Sequence, residues 1–204
     1  IFKGEAVGII AGSCDPKRQK EGIYLFTDIN FGGDCFFYTE NSAAVPEGLR
    51  NKASSAHVVG PWKAALYEYE NYNEDDEDGY IMTLPDRGSY PSFSGEMNDE
   101  LVSIQVMRQT TDAECRNPAG PGIYLYEHAD YGGKCQRFLE YSPDASIWSI
   151  GDDVASSIKL VGTGLKSTIW EDEYYEGDSW EDTADDNEFT EAGGLISSIE
   201  IDCD

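Results

Sequence analysis

Short runs in which apolar and polar residues alternate recur along the whole chain, and Gly, Asn and Asp residues separate them. Ile23 and Leu25 lie in one such run, and Val58 and Val59 lie in another. Runs of this kind, repeated about every 8–12 residues between turn-forming residues, are typical of antiparallel strands. Apolar residues spaced for one face of a long helix are not visible. The pattern predicts an all-β protein, and we expect Greek-key β-sandwich domains with two sheets each.

A duplication determines the domain organisation. The segment GIYLFTDINFGGDC at 22–35 aligns with GIYLYEHADYGGKC at 122–135, an offset of 100 residues. Each half divides again, because KAALYEYENY at 63–72 and KSTIWEDEYY at 166–175 begin second, related segments. The duplication therefore predicts four motifs in two pairs. We expect an N-terminal arm, a first domain, a linker and a second domain, at 1–20, 21–108, 109–120 and 121–204.

The five cysteines follow the same duplication. Cys14 precedes Cys35 by 21 positions, and Cys115 precedes Cys135 by 20. The repeat favours the disulfides Cys14–Cys35 and Cys115–Cys135, although sequence alone does not determine connectivity and buried thiols are the alternative. Disulfides indicate an oxidising compartment, so we expect a secreted, extracellular protein. Cys203 is left over, and it could stay free or link two chains into a dimer.

The charge of the chain narrows the class of partner. It carries 40 Asp and Glu residues against 14 Lys and Arg residues, a formal net charge of -26. Such a charge repels phosphate groups, so we expect no nucleic-acid partner, whereas cations are favoured. No apolar run approaches the roughly 18–20 residues of a membrane span. Solubility in a saline environment is an alternative explanation of the acidity. Because the chain begins at Ile1 rather than Met, we expect that an upstream segment was removed.

A further repeated feature is an aromatic residue followed seven positions later by Gly. It occurs three times, as Phe26 with Gly33, Tyr126 with Gly133 and Trp170 with Gly177. A Ser follows each aromatic residue after 28 to 31 positions, at Ser55, Ser157 and Ser198. This spacing suits a folded-back hairpin in which Gly takes a positive φ and the ring covers the turn. The Ser hydroxyl could then satisfy backbone groups that the hairpin leaves unpaired.

This pattern of an aromatic residue, six residues, Gly and a later Ser resembles the Greek-key motif of the βγ-crystallin family. The resemblance covers roughly residues 21–108 and 121–203. The second motif departs from it, because seven positions after Tyr67 stands Glu74. An acidic insertion, NEDDEDG, displaces the Gly to Gly79, whereas Ser103 is present.

Calcium-binding members of that family carry a six-residue stretch of N/D, N/D, two variable residues, S/T and Ser, and its oxygen atoms suit a hard cation. The third motif has the whole stretch, at 152–157. Each other motif departs at one end: the first begins with Arg50, the second has Val102 in place of the hydroxyl residue, and the fourth begins with Gly193 and Gly194.

In the family, the acidic end of one stretch and the hydroxyl of the other stretch in the same domain hold one ion together. The resemblance therefore implies one good Ca²⁺ site per domain. The implied metal-ligating residues are Asn98, Asp99, Glu100 and Ser54 in the first domain, and Asp152, Asp153, Val154 and Ser197 in the second. The reciprocal sites, which would use Asn51 and Ser156, should be poor. Ordinary strand-entry loops with turn residues are the alternative.

Catalytic motifs are not visible. The two histidines, His57 and His128, do not stand in a sequence such as G-x-S-x-G or H-E-x-x-H. We therefore expect a non-enzymatic, calcium-binding protein of structural or storage type. The alternative is a binding module, such as a lectin-like protein, an inhibitor or a subunit of a toxin or defence complex. Such a module would bind a protein or glycan partner, and its calcium would be structural or vestigial.

Overall fold

A computed structural model describes residues 8–9, 20–74, 79–190 and 192–203. The described chain forms two compact units, which divide after Arg108. Both consist of antiparallel strands arranged in two sheets, so the predicted all-β Greek-key class is confirmed. Each unit is described by itself.

The first domain contains eight strands among its described residues. They are β1 (Gly8–Ile9), β2 (Gly22–Asp28), β3 (Gly32–Tyr38), β4 (Ser55–Val59), β5 (Trp62–Tyr67), β6 (Ile81–Leu84), β7 (Gly88–Tyr90) and β8 (Ser103–Arg108). One sheet has the order β1-β3-β2-β4-β7 and the other the order β6-β5-β8. Strand β7 follows β6 in the chain but pairs with β4 in the opposite sheet. This exchange makes the two motifs of the domain interdependent.

The second domain repeats this architecture. Its elements are helix α1 (Asp112–Arg116) and strands β9 (Gly122–His128), β10 (Gly132–Phe138), β11 (Ser157–Val161), β12 (Leu165–Trp170), β13 (Ser179–Asp182) and β14 (Ser198–Cys203). The sheet orders are β10-β9-β11 and β13-β12-β14. A single bridge between Ile158 and Asp186 takes the place of the exchanged strand.

Alternation along the strands produces the cores. Ile23 and Leu25 of β2 are fully buried between the two sheets, as Ile123 and Leu125 of β9 are in the second domain. Burial removes their apolar surface from water, which is the main favourable contribution to folding. The opposite face of the sheet that contains β2 or β9 is covered as well. Buried and exposed residues therefore do not alternate along these two strands, as they would in a sandwich with one face in water.

A disulfide covers that face in the second domain. The segment 109–120, predicted to be a linker, contains α1, and a capping box of Thr111 and Glu114 begins this helix. The helix brings Cys115 to Cys135 of β10, and the predicted Cys115–Cys135 disulfide is confirmed. Cys35 is also disulfide-bonded, but its predicted partner Cys14 lies outside the described residues. The predicted arm at 1–20, apart from residues 8–9 and 20, and the side chain of Cys203 lie outside them too.

The four hairpins share one clasp. In each, a buried Ser hydroxyl donates a hydrogen bond to the carbonyl that precedes the turn and accepts one from an amide within it. The clasps are Ser55 with Asp28 and Phe31, Ser103 with Tyr69 and Tyr72, Ser157 with His128 and Tyr131, and Ser198 with Asp172 and Tyr175. The role predicted for Ser55, Ser157 and Ser198 is confirmed, and Ser103 has the same role.

The second hairpin reaches the same clasp by another backbone path. Gly33, Gly133 and Gly177 have φ values of 73°, 76° and 74°, as predicted. Gly79 does not have a positive φ, and Asn73 takes the left-handed conformation with a φ of 66°. The expectation of a displaced left-handed Gly is therefore wrong. Asn tolerates this conformation because its short polar side chain bonds locally, here to the amide of Tyr69 at 2.9 Å.

Candidate metal centre

In each loop that carries a six-residue stretch, the second residue of the stretch has a left-handed backbone conformation. Asn51, Asp99, Asp153 and Gly194 occupy this position, and all four are left-handed, with φ values of 52°, 65°, 54° and 76°. Asn, Asp and Gly are the residue types that adopt this conformation at low cost. Backbone geometry alone thus explains why Asn, Asp or Gly stands at the second position of each stretch. This agrees with the alternative that the stretches are ordinary loops with turn residues.

The first domain brings its predicted residues together. The Ser54 hydroxyl donates to Asp99 Oδ1 at 3.0 Å, and the Asn98 amide donates to Asp99 Oδ2 at 2.9 Å. These residues line an open pocket, and so do Asp28 and Asp34 from the neighbouring hairpin. Sequence reasoning missed these two carboxylates, because only the folded hairpin brings 28–34 beside 98–99.

The second domain shows the same pairing with one more carboxylate. The Ser197 hydroxyl lies 2.7 Å from Asp152 Oδ1 and 3.2 Å from Asp153 Oδ1. Ser197 is 6% exposed, so the hydroxyl has little access to water. Two carboxylates therefore converge on one buried hydroxyl across 45 residues of sequence.

Two further acids lie beside this pair. Burial, together with the charges of Asp144, Asp152 and Asp153, raises the pKa of Glu173 to about 7. Asp144 is 1% exposed and accepts hydrogen bonds from the amide and hydroxyl of Ser146. Negative charge is thus concentrated here, and a bound cation would relieve the repulsion. Sequence reasoning missed both acids, since their approach depends on packing between motifs.

In the first domain, an ion pair occupies the place that corresponds to Asp152 and Glu173, which belongs to the reciprocal site and not to the pairing of Ser54 with Asp99. Arg50 aligns with Asp152, and Glu70 aligns with Glu173. The Arg50 guanidinium forms an ion pair with the Glu70 carboxylate. An arginine in the first domain therefore supplies positive charge where the second domain has only acids among these positions.

The remaining predicted residues contribute less. Ser156 donates its hydroxyl to the main-chain carbonyls of Glu127 and Val154, at 3.1 and 3.3 Å. The Glu100 side chain is exposed. The main-chain amide of Asn51 donates a hydrogen bond to the carbonyl of Leu101 in the opposite loop. Across 8–9, 20–74, 79–190 and 192–203, no three His, Cys, Asp or Glu side chains are arranged to hold a metal by themselves. An ion would also need hydroxyl and carbonyl oxygens.

The histidines lie elsewhere. The His57 ring stacks on Phe31 with 4.0 Å between ring centroids, and its Nδ1 lies 2.9 Å from Ser89 Oγ. His128 contributes its main-chain carbonyl to a clasp. In the part of the chain that the structure describes, no helix is long and apolar enough to span a membrane.

Several solved structures of known proteins are similar to this chain. One similar solved structure comes from work on the evolution of the eye-lens βγ-crystallin domain fold, and its sequence is 26% identical. The TM-score is 0.39, and the match covers 43% of this chain and 91% of that chain. The N-terminal domain of protein S matches with 24% identity, a TM-score of 0.37, and coverage of 40% and 96%. The chain resembles the βγ-crystallins. The motifs and the four clasps that they predict carry this resemblance.

Other comparisons are narrower. A βγ-crystallin domain from Flavobacterium johnsoniae matches with 19% identity, a TM-score of 0.36, and coverage of 40% of this chain and 94% of that one. The family model of peptidase inhibitor family I36 matches residues 25–84. None of the curated proteins matches the chain significantly.

Proposed function

We propose that this chain is an extracellular, non-enzymatic protein that binds two Ca²⁺ ions, one in each domain, for structural purposes. The observation that carries the proposal is the convergence of Ser197 on Asp152 and Asp153. Ca²⁺ prefers carboxylate, carbonyl and hydroxyl oxygens, and these two loops offer all three kinds. The pairing of Ser54 with Asp99 offers a similar set in the first domain.

The electrostatics rank the two sites. The second-domain site adjoins Glu173, whose pKa is raised first by burial and then by the charges of Asp144, Asp152 and Asp153. The first-domain pocket of Ser54 and Asp99 is also lined by Lys52, whose ammonium group already supplies positive charge there. We therefore expect the second domain to bind Ca²⁺ more tightly, because binding there relieves repulsion.

An extracellular role fits the confirmed disulfide between Cys115 and Cys135, since such bonds persist in oxidising compartments. Ca²⁺ bound to the native state alone would stabilise it by mass action. Disulfides and ions together would suit a long-lived structural or storage protein. That the chain is not an enzyme stays a prediction.

Calorimetric titration of Ca²⁺ into chelator-treated protein tests the proposal. We expect two Ca²⁺ sites, and the presence of Mg²⁺ in excess should not abolish binding at them. Asp153→Gly should remove the second-domain site, and it should keep the loop, because Gly194 holds the equivalent left-handed position in the fourth stretch. Asp99→Gly is the counterpart in the first domain. Asp178→Asn, which removes an exposed carboxylate, is the control and should leave two sites. Two sites in both Gly variants would refute the assignment.

A peptidase inhibitor is a second candidate, and the family-model match to residues 25–84 favours it. It belongs to the class of binding modules that need no turnover of substrate. Inhibition of a panel of metallo-, serine and cysteine peptidases by the intact chain would support this function. Full peptidase activity at a large excess of the chain, with and without added Ca²⁺, would exclude it for the panel.

A further inference from the structure

The two domains differ at one inward-facing pair of their second sheets. In the first domain, Ala64 of β5 stands opposite Leu84 of β6, and both are fully buried in the apolar core. In the second domain, Ser167 of β12 stands opposite Asp182 of β13. Side chains opposite each other in antiparallel strands lie on one face of the sheet. A polar pair has therefore replaced an apolar pair at the same place in the fold.

Neither polar group of this pair is satisfied by the described chain. Ser167 is 1% exposed, and its hydroxyl has no hydrogen-bond partner among the described residues. Asp182 Oδ2 is likewise buried and without a partner there. Leaving such atoms unpaired destabilises the folded state, and more so for a charged group. Two unpaired oxygen atoms on one face of the sheet indicate a bound ligand that oxygen atoms can coordinate.

A second carboxylate, that of Asp186, lies close enough to Asp182 for its charge to act on that residue. Asp186 is bridged through its backbone to Ile158 of β11, which belongs to the opposite sheet. Burial, together with the charge of Asp186, raises the pKa of Asp182 to about 6. Asp182 and Asp186 are each partly exposed, so an ion and its waters have access from solvent.

We propose that Asp182, Asp186 and the Ser167 hydroxyl form a third cation site, separate from the Ca²⁺ loops, that holds a hydrated divalent cation. Mg²⁺ and Mn²⁺ suit it because such ions are bound by one or two carboxylates and keep several waters, whereas Ca²⁺ takes six to eight protein and water oxygens. The cation satisfies both buried oxygens and neutralises the two acids. The first domain has no counterpart, since Ala64 and Leu84 offer no oxygen.

Mn²⁺ titration of chelator-treated full chain tests the site, with free Mn²⁺ counted by electron paramagnetic resonance. The buffer contains about 0.15 M KCl, which screens diffuse binding to exposed acids. The double variant Ser167→Ala/Asp182→Leu copies the first-domain pair. Asp182→Asn keeps the shape and removes the charge. Glu181→Gln removes an exposed carboxylate from the other face of β13 and is the control.

We expect the double variant and Asp182→Asn to bind one Mn²⁺ fewer per chain than the wild type, and Glu181→Gln to bind the same number. Mn²⁺ should also raise the melting temperature of the second domain less in both site variants. Equal numbers of bound ions in wild type and Asp182→Asn would overturn the proposal, whether or not the double variant folds. In that case the carboxyl of Asp182 is satisfied by a proton.

Discussion

Removal of one clasp hydroxyl is the sharpest test of the hairpin geometry. Ser157 is fully buried, and its hydroxyl donates to the His128 carbonyl at 2.7 Å and accepts from the Tyr131 amide at 3.2 Å. Ser157→Ala deletes both bonds and leaves two backbone groups of a folded turn unpaired. An unpaired buried group costs about 1–3 kcal/mol, but the hairpin is only partly buried, so we expect a loss of about 2–3 kcal/mol.

Urea unfolding followed by tryptophan fluorescence measures this loss, because Trp148, Trp170 and Trp180 report on the second domain. Chelator is present throughout, so that Ca²⁺ linkage does not contribute. Ser179→Ala, which removes an exposed hydroxyl from β13, serves as the control and should change stability by less than about 0.5 kcal/mol. A loss for Ser157→Ala no larger than that of the control would refute the reasoning, because the clasp would then contribute nothing.

Three further outcomes follow from the same structure. The pKa of Glu173 is raised from 4.5 to about 7. Its protonation therefore gives the calcium-free fold a stability that is fully present below about pH 4.5 and is lost as the pH rises through 7. Thermal melts should show lower stability at pH 8 than at pH 5, and Glu173→Gln should reduce the difference. Gly133→Ala should cost about 1–2 kcal/mol in urea unfolding, because φ is 76° and the added Cβ would lie 2.7 Å from a carboxylate oxygen of Glu127; Gly95→Ala, where nothing lies within 4 Å, should cost far less. Replacing both members of the Cys115–Cys135 disulfide with Ser should lower the stability of the second domain by about 3 kcal/mol, since the bond closes a loop of 20 residues; an unchanged melting temperature would contradict this.

Much of the fold could be predicted because its requirements are local. A tight turn that needs a left-handed residue selects Gly, and the aromatic residue seven positions earlier lies near the end of the strand that precedes the turn. The register then brings a Ser to the turn, so the clasp follows from the spacing of Phe26, Gly33 and Ser55. Where the local rule failed, at Gly79, a second residue type met the same requirement, because Asn73 also tolerates a positive φ.

The candidate site could be predicted only in part. The pairs Ser54 with Asp99 and Ser197 with Asp153 came from the family pattern, and the structure places them within 3.2 Å of each other. Glu173 could not be found this way, because it lies outside the six-residue stretch and reaches Asp152 only when two motifs pack together.

Sequence by itself determined the duplication, the strand-and-turn pattern, the four clasp serines and one cysteine pair that the structure confirms. These features depend on short-range spacing, which the chain carries without reference to its environment. Tertiary structure alone decided the raised pKa of Glu173 and the burial of Ser167 opposite Asp182. Solvation and the field of neighbouring charges depend on groups distant in sequence, and only packing brings those groups together.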